Sequence, residues 1–366
     1  MILYKRPLLP FLILALAVAC AEKKPVPNGQ IQPLARIQLD TNRVVEVIGL
    51  RWWTVEMIQD SLRKYAPGQR LDSANAAATL RYKLHFADAA VDTSVQVFDE
   101  NETTQITVGV REPQDSARVH YAPQTLDAIP RVTEWKPITA KLSGGDNARR
   151  LSIVAERHLK GPPRDVVDSS VQGHPITTRL GYAFESPGDS VAARPILDAL
   201  AKRTSEHDFA TAVATIEQST SLPDRIVAVL ILANFPARDT AWYALVRAAV
   251  GQRQAQDASM ASRALEGMSE RYARHVDWTP IATTMHDVFD GMALTALPAI
   301  ATAVARTGAS PRDAKAYLAH GGEMLAAYLE SANPDLGEPV HRFLVALRGV
   351  DLGTDPEQWR AWIRTL

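Results

Sequence analysis

The residues best placed to do chemistry in this 366-residue chain are a single cysteine, nine histidines and 41 acidic side chains. Cys20 has no second cysteine to pair with, so a disulfide framework and a cysteine-based metal site are both excluded. His286-Asp287 and Asp290 fall on one predicted helix. Such a trio can hold a metal, and it equally suits the polar face of an amphipathic helix. His320-Gly321-Gly322-Glu323 reads as a helix break, and His275, Asp277 and Trp278 read as a loop before a capped helix. Asp99-Glu100-Asn101-Glu102 has the oxygen ligands for weak calcium binding and reads better as an acidic hairpin turn. Trp359 and Trp362, three apart, either pack the last helix down or form a carbohydrate platform. The glycine, serine and histidine spacings of phosphate-binding loops, dinucleotide folds, hydrolase elbows and zinc proteases do not occur. No catalytic residue, cofactor or metal is therefore assigned, and a non-enzymatic role is expected.

The one assigned site residue is Cys20, and its context is an address. Lys5-Arg6 precedes a mostly apolar run from Leu8 to Ala19, which is too short for the roughly 20 residues of a membrane span and contains Pro10. This pattern predicts a secretion signal over 1–19. Ala17-Val18-Ala19-Cys20 resembles the bacterial lipobox, with Leu16 one place earlier than the family's usual leucine. The resemblance implies diacylglycerol on the Cys20 sulfur and cleavage just before it. An ordinary Ala-x-Ala cleavage site, leaving a soluble periplasmic protein, is the other reading. Ala21 follows the cysteine in place of the aspartate that retains some lipoproteins in the inner membrane, so the resemblance points to the outer membrane.

Composition bounds the partners. Forty Lys and Arg against 41 Asp and Glu give a net charge of −1, which offers no electrostatic reason to bind nucleic acid. Hydrophobic residues are 46%, enough for a packed core, and the length leaves room for two domains. The expected partners are a membrane, through the N-terminal lipid, and another protein of the cell envelope.

The elements follow in order. Residues 20–35 hold Pro25, Pro27 and Pro33 with Lys23-Lys24 and read as a flexible tether behind the lipidated cysteine. Residues 36–121 predict a small α+β domain. Arg43 to Ile48 is strand-like, Thr54 caps a helix with Val55, Ile58, Leu62 and Tyr65, and Pro67-Gly68 stops it. Asp72 or Ser73 caps a second helix, and Ser94–Phe98 with Gln105–Val110 alternate as a hairpin. Ala117 to Tyr121 reads as a further edge strand. Residues 122–190 form a connecting region with a helix near Asn147–Leu159 and a strand near Ile176–Phe184. From 191 to 366 amphipathic helices follow one another with short breaks. Thr279-Pro280, Ser310-Pro311 and Asp355-Pro356 each place a capping side chain before a proline. The fold class is thus a small α+β N-terminal domain followed by an all-α helical array, mainly α overall.

Two resemblances attach to these elements. Pro223-Asp224-Arg225 with Ala228, Leu230 and Leu232, the weaker Asp257, Ala261, Ala264 and Leu265, and the terminal Asp355 to Trp362 resemble HEAT repeats. That implies a solenoid whose repeats contact mainly their neighbours; an irregular bundle is the other reading. The strand–helix–helix–strand–strand order of 36–121, with Val47-Ile48-Gly49 and Pro67-Gly68, resembles a POTRA domain. That implies handling of outer-membrane proteins. The expectation is a non-enzymatic envelope lipoprotein that binds a protein through its helical-repeat surface. The alternatives are an accessory factor in outer-membrane protein assembly and a periplasmic hydrolase with an unrecognised site.

Overall fold

The computed structural model describes residues 29–73, 75–98, 101–119, 133–140, 196–250, 255–272, 274–292, 294, 296–319 and 322–366. The protein is mainly α, with an α+β part at its N-terminal end.

That part begins earlier than expected. Residues 29–34 are not free tether: Gln32 N–H donates to the Leu50 carbonyl at 2.8 Å, and Ile31 is buried in the helical core. The first strand, β1 (Ala35–Asp40), is not expected from the sequence, which puts the first strand at Arg43; it pairs antiparallel with β2 (Arg43–Ile48). The connecting turn is held by Asn42 N–H donating to Asp40 Oδ1 at 2.9 Å. β2 ends at Gly49, where φ is +97° and an added Cβ would lie 2.3 Å from the Val110 carbonyl oxygen. Only glycine satisfies both conditions. Thr54 caps α1 (Val55–Tyr65) as expected, accepting from Met57 N–H. Helix α2 (Ala76–Lys83) departs from expectation. Asn75 stands at its N-cap without a side-chain bond, because Asp72 is already held by Arg43 and Arg70.

β3 (Asp88–Phe98) and β4 (Asn101–Arg111) close the sheet in the order β1-β2-β4-β3, with β2 and β4 parallel. The strand expected over 117–121 is absent from its described part. Pro113 starts a 3-10 helix, Pro113–Arg118, since proline has no N–H for a ladder. Side chains alternate across the sheet. Val45, Val47, Ile106, Val108 and Val110 face α1 and α2, where Ile58, Leu62 and Leu80 complete an apolar core.

Within the connecting region, Thr133–Trp135 is a 3-10 turn running into α3 (Lys136–Thr139), and Trp135 is buried in the core of the array. The expected helix 147–159 and strand 176–184 lie outside the described residues. The array itself follows the sequence closely. Residues 196–201 are helical, and then come α4 (Glu206–Gln218), α5 (Leu222–Leu232), α6 (Asp239–Val250) and α7 (Ala255–Arg271). Next are α8 (Ala282–Asp287), which continues as a π-helical turn Val288–Met292, and α9 (Leu297–Thr307). The chain ends with α10 (Ala314–Leu318), α11 (Glu323–Leu329), α12 (Pro334–Arg348) and α13 (Pro356–Ile363). The single helix expected over 311–331 is split before Gly322, whose φ of +81° breaks the α-helical run. The helix expected to start at 337 starts at Pro334, because Asn333 caps it.

Caps set the hairpins. Ser205 and Asp208 form a reciprocal capping box, Ser221 caps α5, and Asp355 accepts from Glu357 N–H at 3.0 Å. Thr279 does not cap; its own N–H is taken by Asp277 Oδ1 at 3.1 Å. Ser310 bonds Asp313 Oδ2 and leads into a turn ahead of α10. Arg225, buried in α5, donates to the carbonyls of Ile216 and Ser219 at the end of α4, so one side chain fixes the angle of that hairpin. α4 packs on α5 and α6 on α7, while α5, α7, α9 and α12 lie side by side in sequence as an inner row. Residues 225–232 and 297–304 are buried all round, the pattern of helices covered on both sides.

Candidate functional site

The second face of the sheet sets polar side chains among apolar ones such as Ile48, and it is buried against the helices. Glu46 projects from the middle of β2 and is fully buried. Its Oε1 accepts from Arg36 Nε at 2.8 Å and from Ala332 N–H at 3.1 Å. Its Oε2 accepts from Gln105 Nε2 and Ser331 Oγ, both at 2.6 Å. Ser331 and Ala332 form the link between α11 and α12, so one carboxylate joins three strands to the array. Glu330 returns the contact. Its Oε2 accepts from Leu34 N–H at 2.6 Å, its carbonyl accepts from Arg36, and its other oxygen pairs with Arg360 of α13.

A second cluster lies farther along the sheet. Arg51 follows Gly49, Arg111 ends β4, Asp115 sits in the 3-10 turn, and Asp290 comes from the π-helical turn. Arg51 lies 3.5 Å from Asp115 and 3.6 Å from Asp290, and Arg111 lies 3.9 Å and 3.4 Å from the same two acids. Two cations and two anions thus alternate in a site where Arg111 is 1% and Asp290 9% exposed. The π turn widens the helix locally, a geometry often kept for a particular side-chain direction. Here the turn carries Asp290 to the two guanidinium groups. Between the clusters, Gly109 of β4 leaves room for Leu294; an added Cβ would come within 3.2 Å of it.

Glu112 completes the seam. It is fully buried and accepts from three consecutive backbone N–H groups, Arg51 and Trp53 on Oε1 and Trp52 on Oε2, at 2.7–2.8 Å. Burial raises its carboxyl above the ordinary carboxylate value, while the three N–H groups pull it down. Each of these carboxylates is engaged by cations or donors that belong to the fold, so the arrangement holds its parts together.

Of the residues singled out from the sequence, Cys20 and His320 lie outside the described residues. His286 and Asp290 are not brought together. His286 Nε2 is 2.8 Å from the Ala319 carbonyl oxygen, Asp287 lies 3.7 Å from its Nδ1, and Asp290 faces the seam. Among the described residues no three His, Cys, Asp or Glu side chains converge as a metal site. Asp277 bonds Thr279, and Trp278 is buried with its Nε1 donating to Thr307 Oγ1 at 3.0 Å. Of the acidic turn, Asn101 and Glu102 belong to β4, and Asp99 and Glu100 are outside the described residues. Trp359 is buried, donates to the Gly353 carbonyl and meets Trp362 edge-on at 5.8 Å, so the tryptophans pack the last helix.

Sequence reasoning did not find Glu46, Arg51, Arg111, Glu112 or Asp115. A signal was present at Glu46, a charge inside the run Val44-Val45-Glu46-Val47-Ile48. Comparison of the chain with protein-family models, with curated proteins and with solved structures gives no match in any of the three.

Proposed function

We propose that the protein is a non-enzymatic lipoprotein of the bacterial cell envelope, anchored through Cys20 at the periplasmic face of the outer membrane. There it binds another envelope protein through the surface of its helical array. The observation that carries the reading is the seam. It joins the α+β part, which follows the tether, to an array of stacked hairpins, so an anchored chain would carry the α+β part and the array as one body close to the membrane. Glu206 and Glu217 of α4 pair on the surface with Arg238, just before α6, and with Arg247 of α6, whose other side chains are mostly buried; these pairs make a polar surface suited to a folded partner. Two tests apply. Cys20→Ser is expected to move the protein from the membrane to the soluble fraction, and unchanged retention would refute the anchor. Cross-linking in intact cells from positions on α4 and α6 is expected to yield one reproducible envelope partner, lost when Glu206 and Glu217 are both changed to Lys. An adduct pattern that ignores those changes would refute the array as the binding surface.

A second reading, an accessory role in outer-membrane protein assembly, is favoured by one observation. β2-α1-α2-β3-β4 has the expected order, with β1 added in front. Capture of unfolded outer-membrane proteins through residues 35–111 would support it. The hydrolase alternative calls for His286, Asp287 and His320 to share one pocket; Asp287 lies 3.7 Å from His286 Nδ1, and His320 is outside the described residues.

A further inference from the structure

Four of the six exposed large hydrophobic side chains among the described residues lie between Trp52 and Tyr82, in the small α+β part. Trp52 is 43% and Tyr65 57% exposed. On α1 the residues Val55, Ile58 and Leu62 face the sheet. Met57, Ser61 and Tyr65, spaced i, i+4 and i+8, form a separate stripe along one flank of the same helix. Lys64 lies over the Tyr65 ring at 4.8 Å, and Arg81 of α2 over Tyr82 at 5.8 Å. Of the acids on α1, Asp60 is paired with Arg63, and Glu56 lies away from the stripe. Amphipathic aromatic rings backed by lysine and arginine are the side chains that settle at a lipid–water boundary.

The place where the chain enters the fold says what covers this surface. Gly29, the first described residue, runs directly against Trp52; an added Cβ there would lie 2.4 Å from the indole ring. Arg51 donates to the Gly29 carbonyl at 3.1 Å and fixes that approach. Nine residue steps separate Gly29 from Cys20. Fully extended they span about 30 Å. A lipid on Cys20 would thus keep Trp52 within that distance of the headgroups, with Lys23-Lys24 in between.

We infer that Trp52 and the Met57–Tyr65 stripe of α1 dock onto the lipid surface, making a second, non-covalent contact with an anionic headgroup layer. This rests on the Cys20 anchor proposed above. The acyl chains hold the thiol but leave the domain free on its tether, and a second contact converts that loose tether into an oriented attachment.

The test uses the full acylated chain in vesicles containing phosphatidylglycerol, with lipids brominated near the headgroup as quenchers of tryptophan. Acylation of Cys20 is read by mass in the same preparation. The expected result is a lipid-quenched fraction of the emission that disappears in Trp52→Phe and falls several-fold in Met57→Glu and Tyr65→Glu. Unfolding midpoints of the variants should match the wild type, since all three positions are exposed. An acylated protein with no quenched fraction, or one unchanged in Trp52→Phe, would overturn the docking and leave the anchor standing. A chain that is not acylated would refute the anchor, and Cys20→Ser protein mixed with the same vesicles then decides the docking. Binding weakened by Trp52→Ala retains it, and no binding overturns it. Protection of Trp52 without vesicles, dependent on protein concentration, would show a second copy as the occupant and also overturn it.

Discussion

The two faces of one four-stranded sheet are buried by different means. Toward α1 and α2 the sheet presents Val45, Val47, Ile106, Val108 and Val110, and the packing is apolar throughout. Toward the helical array it presents Glu46, Gln105, Thr107 and Arg111, all under 6% exposed, beside Ile48 and Ala90, so ion pairs and hydrogen bonds there join the apolar packing. Apolar contacts are non-directional and tolerate sliding; they stabilise without choosing one placement. Charges taken out of water must meet their partners, so each misplacement leaves a costly orphan. The apolar face therefore explains why the small unit is stable, and the polar face explains why it sits at one place on the array.

Substitutions can break this contrast. Asp290→Ala leaves two buried guanidinium groups with Asp115 as the remaining carboxylate of the cluster, and removal of one partner from such a site costs about 3–5 kcal/mol. Denaturant unfolding is expected to show that loss and to resolve the sheet from the array as separate transitions. Ile106→Ala opens a cavity on the other face at a cost of about 2–5 kcal/mol. It should lower the midpoint while unfolding stays a single transition, because the seam is intact.

Glu112→Gln puts an amide N–H where an oxygen accepts from backbone, a loss of about 1–3 kcal/mol. Its pH dependence has a definite sign. Burial holds the Glu112 carboxyl above the ordinary 4.5, so the folded chain keeps that proton more tightly than the unfolded chain. The resulting stability is fully present below the unfolded value and is lost as pH rises through the raised one. The advantage of wild type over Glu112→Gln should thus shrink as the pH climbs out of the acid range, read as the difference in unfolding midpoints. At the small end, Arg247→Ala removes a half-exposed 3.1 Å pair with Glu217 and should change stability by less than about 0.5 kcal/mol.

The helices were legible because their signals are local. Thr54 before Val55 and Asp355 before Pro356 each sit within three residues of the backbone groups they serve. The alternating strands were legible for the same reason. β1 was missed because its alternation, Ile37 and Leu39 against Arg36 and Gln38, directly follows a proline-rich stretch and turns through Thr41-Asn42 without a glycine. The seam was not legible because it is assembled from distant places. Glu46 finds Ser331 285 residues away, and Leu34 finds Glu330 at a separation of 296. No short-range period encodes such pairings; only the topology that folds the sheet onto the α11–α12 link creates them.

The most direct test of the account is native-state hydrogen exchange on the full chain, comparing Ile106 and Val108 of β4 with Val229 of α5. In the wild type the seam predicts that strand and helix amides open with the same free energy and the same denaturant dependence, as one cooperative unit. In Asp290→Ala the strand amides are predicted to open first. Strand amides that already open independently in the wild type, with α5 still protected, would contradict the claim that the polar face joins the two parts into one body.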